Sequence, residues 1–232
     1  MTLSNTSLAI VAALAGMAMA TPALAQADAA PRQGIAAGDV LLRVRTILVA
    51  PNETSGSVLP AFPGERVRVN NSVMPEVDVT YMATNNIGFE LIAATTKHHA
   101  DGRTGTTGSI GKLASTWVLP PTLTAQYHLN PTGKIRPYVG AGVNYTIFWN
   151  ETASDGLEQA VGKTSVRMKD SVGLAAQAGI DIDLTPRVFL NLDVKYIDID
   201  TRARLRTTAI GTQSVRIDLD PLVFGVGMGI RL

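Results

Sequence analysis

The stretch IRPYVGAGVNYTIFW, residues 135–149, alternates: Pro137, Val139, Ala141, Val143, Tyr145, Ile147 and Trp149 are apolar, while Arg136, Gly140, Gly142, Asn144 and Thr146 are polar or tiny. A period of two sustained over this length predicts one extended strand with an oily face and a small or wet face. In a soluble barrel the oily face points inward; in a membrane barrel it points outward, to lipid. The rest of the chain has to decide between them.

The same period recurs along the chain. Residues 39–50 set Val40, Leu42, Val44 and Leu48 against Arg43 and Arg45, and residues 73–84 set Val73, Val77, Val79 and Tyr81 against Glu76, Asp78 and Thr80. Residues 87–97 oppose Ile87, Phe89, Leu91 and Ala93 to Glu90; residues 117–129 oppose Trp117, Leu119, Leu123, Ala125 and Tyr127 to Thr122, Thr124, Gln126 and His128. Residues 170–183, 187–201 and 215–232 continue the pattern. With the opening stretch this predicts an all-β fold, an antiparallel transmembrane barrel of eight strands, within the even-numbered range of small outer-membrane barrels.

Connections alternate in length. TNN (84–86), NPTGK (130–134) and LTPR (184–187) are tight turns, whereas 51–72, 98–116, 150–169 and 202–214 are long. Short turns on one side and long loops on the other are the arrangement of a transmembrane barrel with short periplasmic turns and long extracellular loops. Tyr81, Tyr127 and Tyr138 fall near the short-turn ends, and Trp117, Phe148, Trp149 and Tyr196 near the long-loop ends, as two interfacial girdles. The oily faces therefore read as lipid-facing.

Composition agrees. The chain has 232 residues, 46% of them hydrophobic, a formal charge of +1 and no cysteine. That excludes general disorder, a basic field for nucleic acid, and thiolate metal sites or Cys nucleophiles. LAIVAALAGMAMA (8–20) is an apolar run too short to span comfortably, and Ala23, Leu24 and Ala25 precede Gln26 as small residues precede a signal-peptidase site. No Lys or Arg precedes the run. The expected organisation is a cleaved signal peptide over 1–25, a short periplasmic segment over 26–38, and an outer-membrane barrel over 39–232.

WVLPPTLTAQYHL (117–129), IRPYVGAGVNYTIFW (135–149), DSVGLAAQAGIDI (170–182), LNLDVKYIDIDT (190–201) and IDLDP (217–221), in this order, resemble the OmpW family of small outer-membrane proteins. The resemblance implies an eight-stranded barrel with a narrow, largely hydrophobic channel that admits small apolar molecules and releases them sideways into the membrane. The chain departs from many such barrels in ending on Leu232 rather than an aromatic residue. That bears on recognition by the barrel-assembly machinery.

Strand direction assigns each inward residue to a half of the lumen. A charged floor is expected from Arg43, Asp78, Glu90, His128, Arg136, Asp181 and Asp193, joined by Gln126, Asp183 and Asn191. An apolar outer lumen is expected from Ile47, Val49, Met74, Val118, Phe148, Ile197 and Ile199, with Val215, Ile217 and Leu219 if the last strand keeps register. The opposed view is that these side chains simply fill an eight-stranded interior. Because proline lacks the N–H a strand ladder needs, Pro75, Pro120 and Pro121 mark a candidate lateral portal, or equally a bulge.

Other chemistry reads weakly. His98 and His99 open a long loop with no second Cys/His cluster, which favours a solvated loop over a metal site. His128 has no Ser/Asp partner at strand spacing, and GAGVNY (140–145) lies within a strand and lacks a third glycine. Asp198, Asp200, Asp218 and Asp220 pair near the outer rim, and solvated strand ends are the favoured reading there over a calcium or lipopolysaccharide-bridging cation. No catalytic site, metal or cofactor is expected, and the partners are outer-membrane lipid, lipopolysaccharide and small hydrophobic solutes. The leading function is passive uptake of apolar solutes; surface binding or adhesion through the long loops is the alternative, and an embedded enzyme a distant third.

Overall fold

The computed structural model describes residues 33–232. The expected signal peptide, and the first part of the segment over 26–38, lie outside the described residues. Eight antiparallel strands close on themselves. They are β1 (Val40–Ala50), β2 (Ser72–Met82), β3 (Ile87–Ala94, resumed over Thr96–Gly102) and β4 (Lys112–Leu119, resumed over Thr122–His128). Then come β5 (Ile135–Ala153), β6 (Ser171–Asp183), β7 (Val188–Ile197, resumed over Asp200–Thr207) and β8 (Gly211–Asp218, resumed over Leu222–Arg231). Each strand pairs with its sequence neighbour, and β1 closes the cylinder on β8 from Leu41↔Arg231 to Ala50↔Leu222.

Burial is inverted relative to a soluble protein. Val73, Val139, Val143, Leu174, Phe224, Val226 and Met228 are exposed, while Arg43, Arg45, Arg136 and Lys195 are buried. An apolar belt of this size around a whole cylinder is stable only against lipid. Tyr81 and Tyr127 are exposed near the short-turn end and Trp149 and Tyr196 near the other. Trp149 stacks on Trp117 with ring centroids 5.6 Å apart. Two aromatics leave the expected girdles: Tyr138 and Phe148 face inward and are buried. Both sit at even positions of β5, on the face of Arg136 and Asn144, so strand parity overrides aromatic character.

Three of the long connections continue their strands well beyond the belt, whereas residues 51–72 are mostly irregular. β3 and β4 rise as a hairpin beyond the belt, and Val67–Val69 adds to its edge. Thr164–Met168, the upper part of β7, the upper part of β8 and Thr54–Ser55 form a second, four-stranded sheet. Their alternation puts Thr201, Ala203 and Leu205 inside and Arg202, Arg204 and Arg206 outside. Short helices α1 (Gly105–Ile110) and α2 (Asp155–Val161) cap this end. No helix among the described residues is long and apolar enough to cross a membrane.

At the short-turn end, residues 33–39 tuck across the barrel mouth. The Gly34 amide donates to Asp183 Oδ2 at 3.2 Å, the Ile35 amide donates to the Pro131 carbonyl at 2.7 Å, and Ile35 packs with Leu41, Met82 and Phe189. Gly34 has φ +83°, and a side chain there would collide with Pro131 and Thr132. Only glycine lets the chain pass so close.

Candidate functional site in the barrel lumen

The lower lumen is packed with charge. Arg43 lies 3.0 Å from Asp78, 3.1 Å from Asp181 and 3.4 Å from Glu90, and donates to Thr80 Oγ1 at 2.7 Å. Arg45 lies 2.8 Å from Glu76 and 3.3 Å from Glu90, contacts Asp78, and donates to Asn191 at 3.0 Å. Arg136 pairs with Asp183 and stands 4.0 Å from Asp181. Gln177 donates to Glu90 at 2.7 Å, and the Tyr138 hydroxyl donates to Asp193 at 2.8 Å while accepting from Asn191 at 3.0 Å. His128 is buried, 3.2 Å from Gln126 Oε1, and its ring lies 5.2 Å from that of Tyr138.

These partners come from strands far apart in sequence, yet all alternate inward at similar height. Glycines make the room. A Cβ at Gly179 would fall 2.3 Å from the Tyr138 hydroxyl, and one at Gly229 would fall 2.2 Å from the Phe189 ring. Buried ions need such contacts, because an ion without a partner in this interior costs several kcal/mol.

Lys195 tops the network. Its ammonium lies 2.9 Å from Glu76 and 2.8 Å from Asp193. Above it the lumen opens into a cavity of about 110 Å³ whose wall includes Ile47, Val49, Val118, Phe148, Ile197 and Ile199. Val215, Ile217, Leu219 and Val223 continue that wall, and Glu76 and Lys195 form its base. Apolar cavities of roughly 150 Å³ take up a benzene-sized molecule. Met74 departs from the expectation. It shares the inward parity of Glu76 but is half-buried and absent from the cavity wall.

Met74 stands instead at an edge of the paired wall. The β2–β3 ladder runs from Met82↔Gly88 to Glu76↔Ala94 and stops, although β2 continues to Ser72 on its β1 side. Pro75 lies on this unpaired stretch and is exposed. Above it, Asn70 rejoins β3: its amide donates to the His99 carbonyl at 3.2 Å, its Oδ1 accepts the His99 amide at 2.6 Å, and its carbonyl lies 2.9 Å from His98 Nδ1. One strand further, β4 breaks at Pro120–Pro121. The registers either side, Thr122↔Ile92 and Val118↔Thr96, show that no residue has been inserted, so the break is a gap in the β3–β4 ladder rather than a bulge, while toward β5 the Pro121 carbonyl still accepts the Tyr145 amide at 3.1 Å. Ala94, Thr96, His98 and Pro120 all line the cavity.

His98 is therefore not in a solvated loop: it lies buried in the upper part of β3 with Thr96 Oγ1 at 3.0 Å. At the rim, Asp198, Asp200 and Asp220 each place one carboxylate oxygen within 4.8 Å of the others, and Arg216 pairs with Asp200 and Asp218. Sequence reasoning left Arg45, Glu76, Lys195 and Tyr138 off the floor. Strand parity alone could have placed all four, since each lies two positions from an assigned residue and so on the same face.

Comparison with known proteins bears on this architecture. The family model of the OmpW family matches residues 36–232. Outer membrane protein W of Escherichia coli is 38% identical over 196 residues, covering 84% of this chain and 89% of that protein. Outer membrane protein W of Vibrio cholerae is 35% identical over 210 residues, covering 90% and 95%. The crystal structure of OprG from Pseudomonas aeruginosa superposes with a TM-score of 0.81 at 32% identity, covering 87% of this chain and 99% of that one.

Proposed function

Since this chain belongs to the OmpW family of outer-membrane β-barrels, we propose that its upper lumen admits small apolar solutes from outside and delivers them sideways into the bilayer. The carrying observation is the abrupt change at Lys195 and Glu76: an apolar cavity ends on a floor of buried ion pairs. Passage straight through would draw an apolar solute between ionised groups and separate them, at several kcal/mol. Sideways passage meets no such barrier. The unpaired wall between Ser72–Pro75 and Thr95–Lys97, bounded below by Glu76↔Ala94 and above by Asn70, stands beside the cavity-lining Ala94, Thr96 and His98. Pro75 cannot donate to a ladder there, and Pro120–Pro121 weakens the strand that backs the window.

The chain has no cysteine, so a thiol pair placed across the window is unique. Pro75→Cys with Thr95→Cys, bridged by a short bifunctional thiol reagent, should lower uptake of a labelled apolar solute into liposomes and leave leakage of a small polar solute unchanged. Val118→Trp, which fills the cavity, should lower the same uptake. If neither variant changes it while both barrels remain folded, the pathway is wrong.

A further inference from the structure

The outer wall changes character where β6, β7 and β8 leave the bilayer. Within the belt, Val172 and Leu174 are 74% and 68% exposed, while on β7 and β8 the apolar face ends lower, at Tyr196 opposite Leu222. Beyond it β7 and β8 first carry four aspartates, Asp198, Asp200, Asp218 and Asp220, and above these the outward positions become cationic: Arg167 and Lys169 ahead of β6, Arg202, Arg204 and Arg206 on β7, and Arg216 on β8, all six exposed. At 3.3 Å per residue, Lys169 lies about 10 Å and Arg167 about 17 Å along the strand from Val172. With strands tilted by about 40°, these are heights of about 8 and 13 Å above Val172, the level of the outer-leaflet headgroups.

The register sets like charges face to face. Arg167 lies opposite Arg204, and Arg202 opposite Arg216. Cross-strand neighbours of like sign destabilise a sheet. Carboxylates answer only part of this charge: Arg167 reaches Glu151 at 3.4 Å, and Arg216 reaches Asp200 at 2.8 Å and Asp218 at 3.0 Å. Among the described residues no ion pair is formed by Lys169, Arg202, Arg204 or Arg206. Five of these cations line one hollow whose lip includes Val172. Of the two carboxylates in it, Asp170 accepts from the Tyr145 hydroxyl and the Phe148 amide, and Asp200 holds Arg216.

We infer that this wall binds the phosphate groups of outer-leaflet lipopolysaccharide, with acyl chains lying along Val172 and Leu174. An amphiphile with an anionic head directly above its apolar part matches the sign of the hollow and, along β6, its continuity with the lipid belt through Val172; on β7 and β8 the aspartates lie between the arginines and the belt. Guanidinium forks bind phosphate oxygens in pairs, which suits a face built from arginines. A soluble polyanion would explain the charge but not its place on the lipid-side wall.

The test uses the refolded barrel in detergent with a chelator, so that carboxylates cannot bind through divalent cations. The probes are lipid A carrying both phosphates and the same lipid A stripped of them, titrated with native mass spectrometry as readout. The wild type should prefer the phosphorylated form by about tenfold or more. Lys169→Gln with Arg202→Gln and Arg204→Gln should abolish that preference. Arg66→Gln with Arg68→Gln and Arg103→Gln, which removes equal charge from another exposed region, should keep it, as should Arg202→Lys with Arg204→Lys. Absence of a preference in the wild type, equal loss in both Gln triples, or displacement of lipid A by a soluble sulfated oligosaccharide each overturns the assignment. The difference between unheated and boiled gel mobility reports folding. Should the first triple fail to fold, Arg202→Gln alone takes its place: it should weaken the preference while Arg66→Gln alone keeps it, and equal behaviour of the two overturns the assignment.

Discussion

The lower and upper halves of this lumen are built by the same eight strands and the same inward alternation, yet one is filled and the other hollow. Below Lys195, long charged side chains reach across the barrel and meet: Arg43 touches partners from β2, β3 and β6. Above it, the inward positions carry Ile, Val, Leu and Phe, whose shorter side chains leave a space at the axis. Barrel diameter is set by strand number, so what fills the axis is decided by side-chain reach. Charge serves here as packing material as well as electrostatics. Four cations and six carboxylates close the floor, with Gly179 and Gly229 standing where the rings of Tyr138 and Phe189 must fit.

The contrast can be broken most decisively at Arg43. Replacing it with Ala leaves Asp78, Glu90 and Asp181 short of a buried partner, and should destabilise the barrel by about 3–5 kcal/mol. The measurement is the shift of the urea unfolding midpoint against that of Arg103→Ala, an exposed arginine at the rim. Similar shifts would show that the floor is not a network.

Gly229→Ala and Gly179→Ala should each cost about 1–3 kcal/mol, because the added methyl meets Phe189 or Tyr138 in a region without spare volume. Combining Gly229→Ala with Phe189→Leu should recover part of the loss. Additive losses in the same unfolding experiment would mean that the ring is not what the glycine accommodates.

In the upper half, enlargement should be nearly free. Val118→Phe grows into the cavity and should change stability by less than about 1 kcal/mol. A cost as large as that of Gly229→Ala would show that the upper lumen is as tightly packed as the lower.

The smallest effect is expected at the rim, where the Glu65 carboxylate accepts the Thr106 and Thr107 amides at 2.9 and 2.7 Å and so caps α1. Hydrogen bonds, those from Thr107 foremost, hold its carboxyl below the ordinary value of 4.5. A carboxyl lowered on folding stabilises above its unfolded value and loses that contribution as pH falls through the folded one. The Thr107 amide resonance should titrate with a midpoint under 4.5, and the titration should vanish in Glu65→Gln. A midpoint at or above 4.5 would refute the cap.

How much of this was legible beforehand varies along each strand. Leu222, Phe224, Val226, Met228 and Ile230 face outward as their spacing requires, and Val215, Ile217 and Leu219 face inward despite the interruption at Asp220–Pro221. The rising upper walls were not legible, because TRARLRT (201–207) alternates between Arg and small or apolar residues rather than between oil and water. Tyr138 looks like an interfacial aromatic by composition, and only its parity says otherwise, whereas Phe148 lies in the outer lumen where its parity puts it.

The sequence by itself determined the eight strands within the belt, their two faces and the direction of each, because the side-chain period of a strand is fixed by backbone geometry and needs no partner to be read. The tertiary structure decided which inward residues meet. Arg43 and Asp181 are 138 positions apart and 3.1 Å from each other, a distance set by barrel closure and strand stagger that no local pattern encodes. It also decided where the wall is unpaired, for a proline reveals that it lacks a donor but not whether a neighbouring strand stands there to need one.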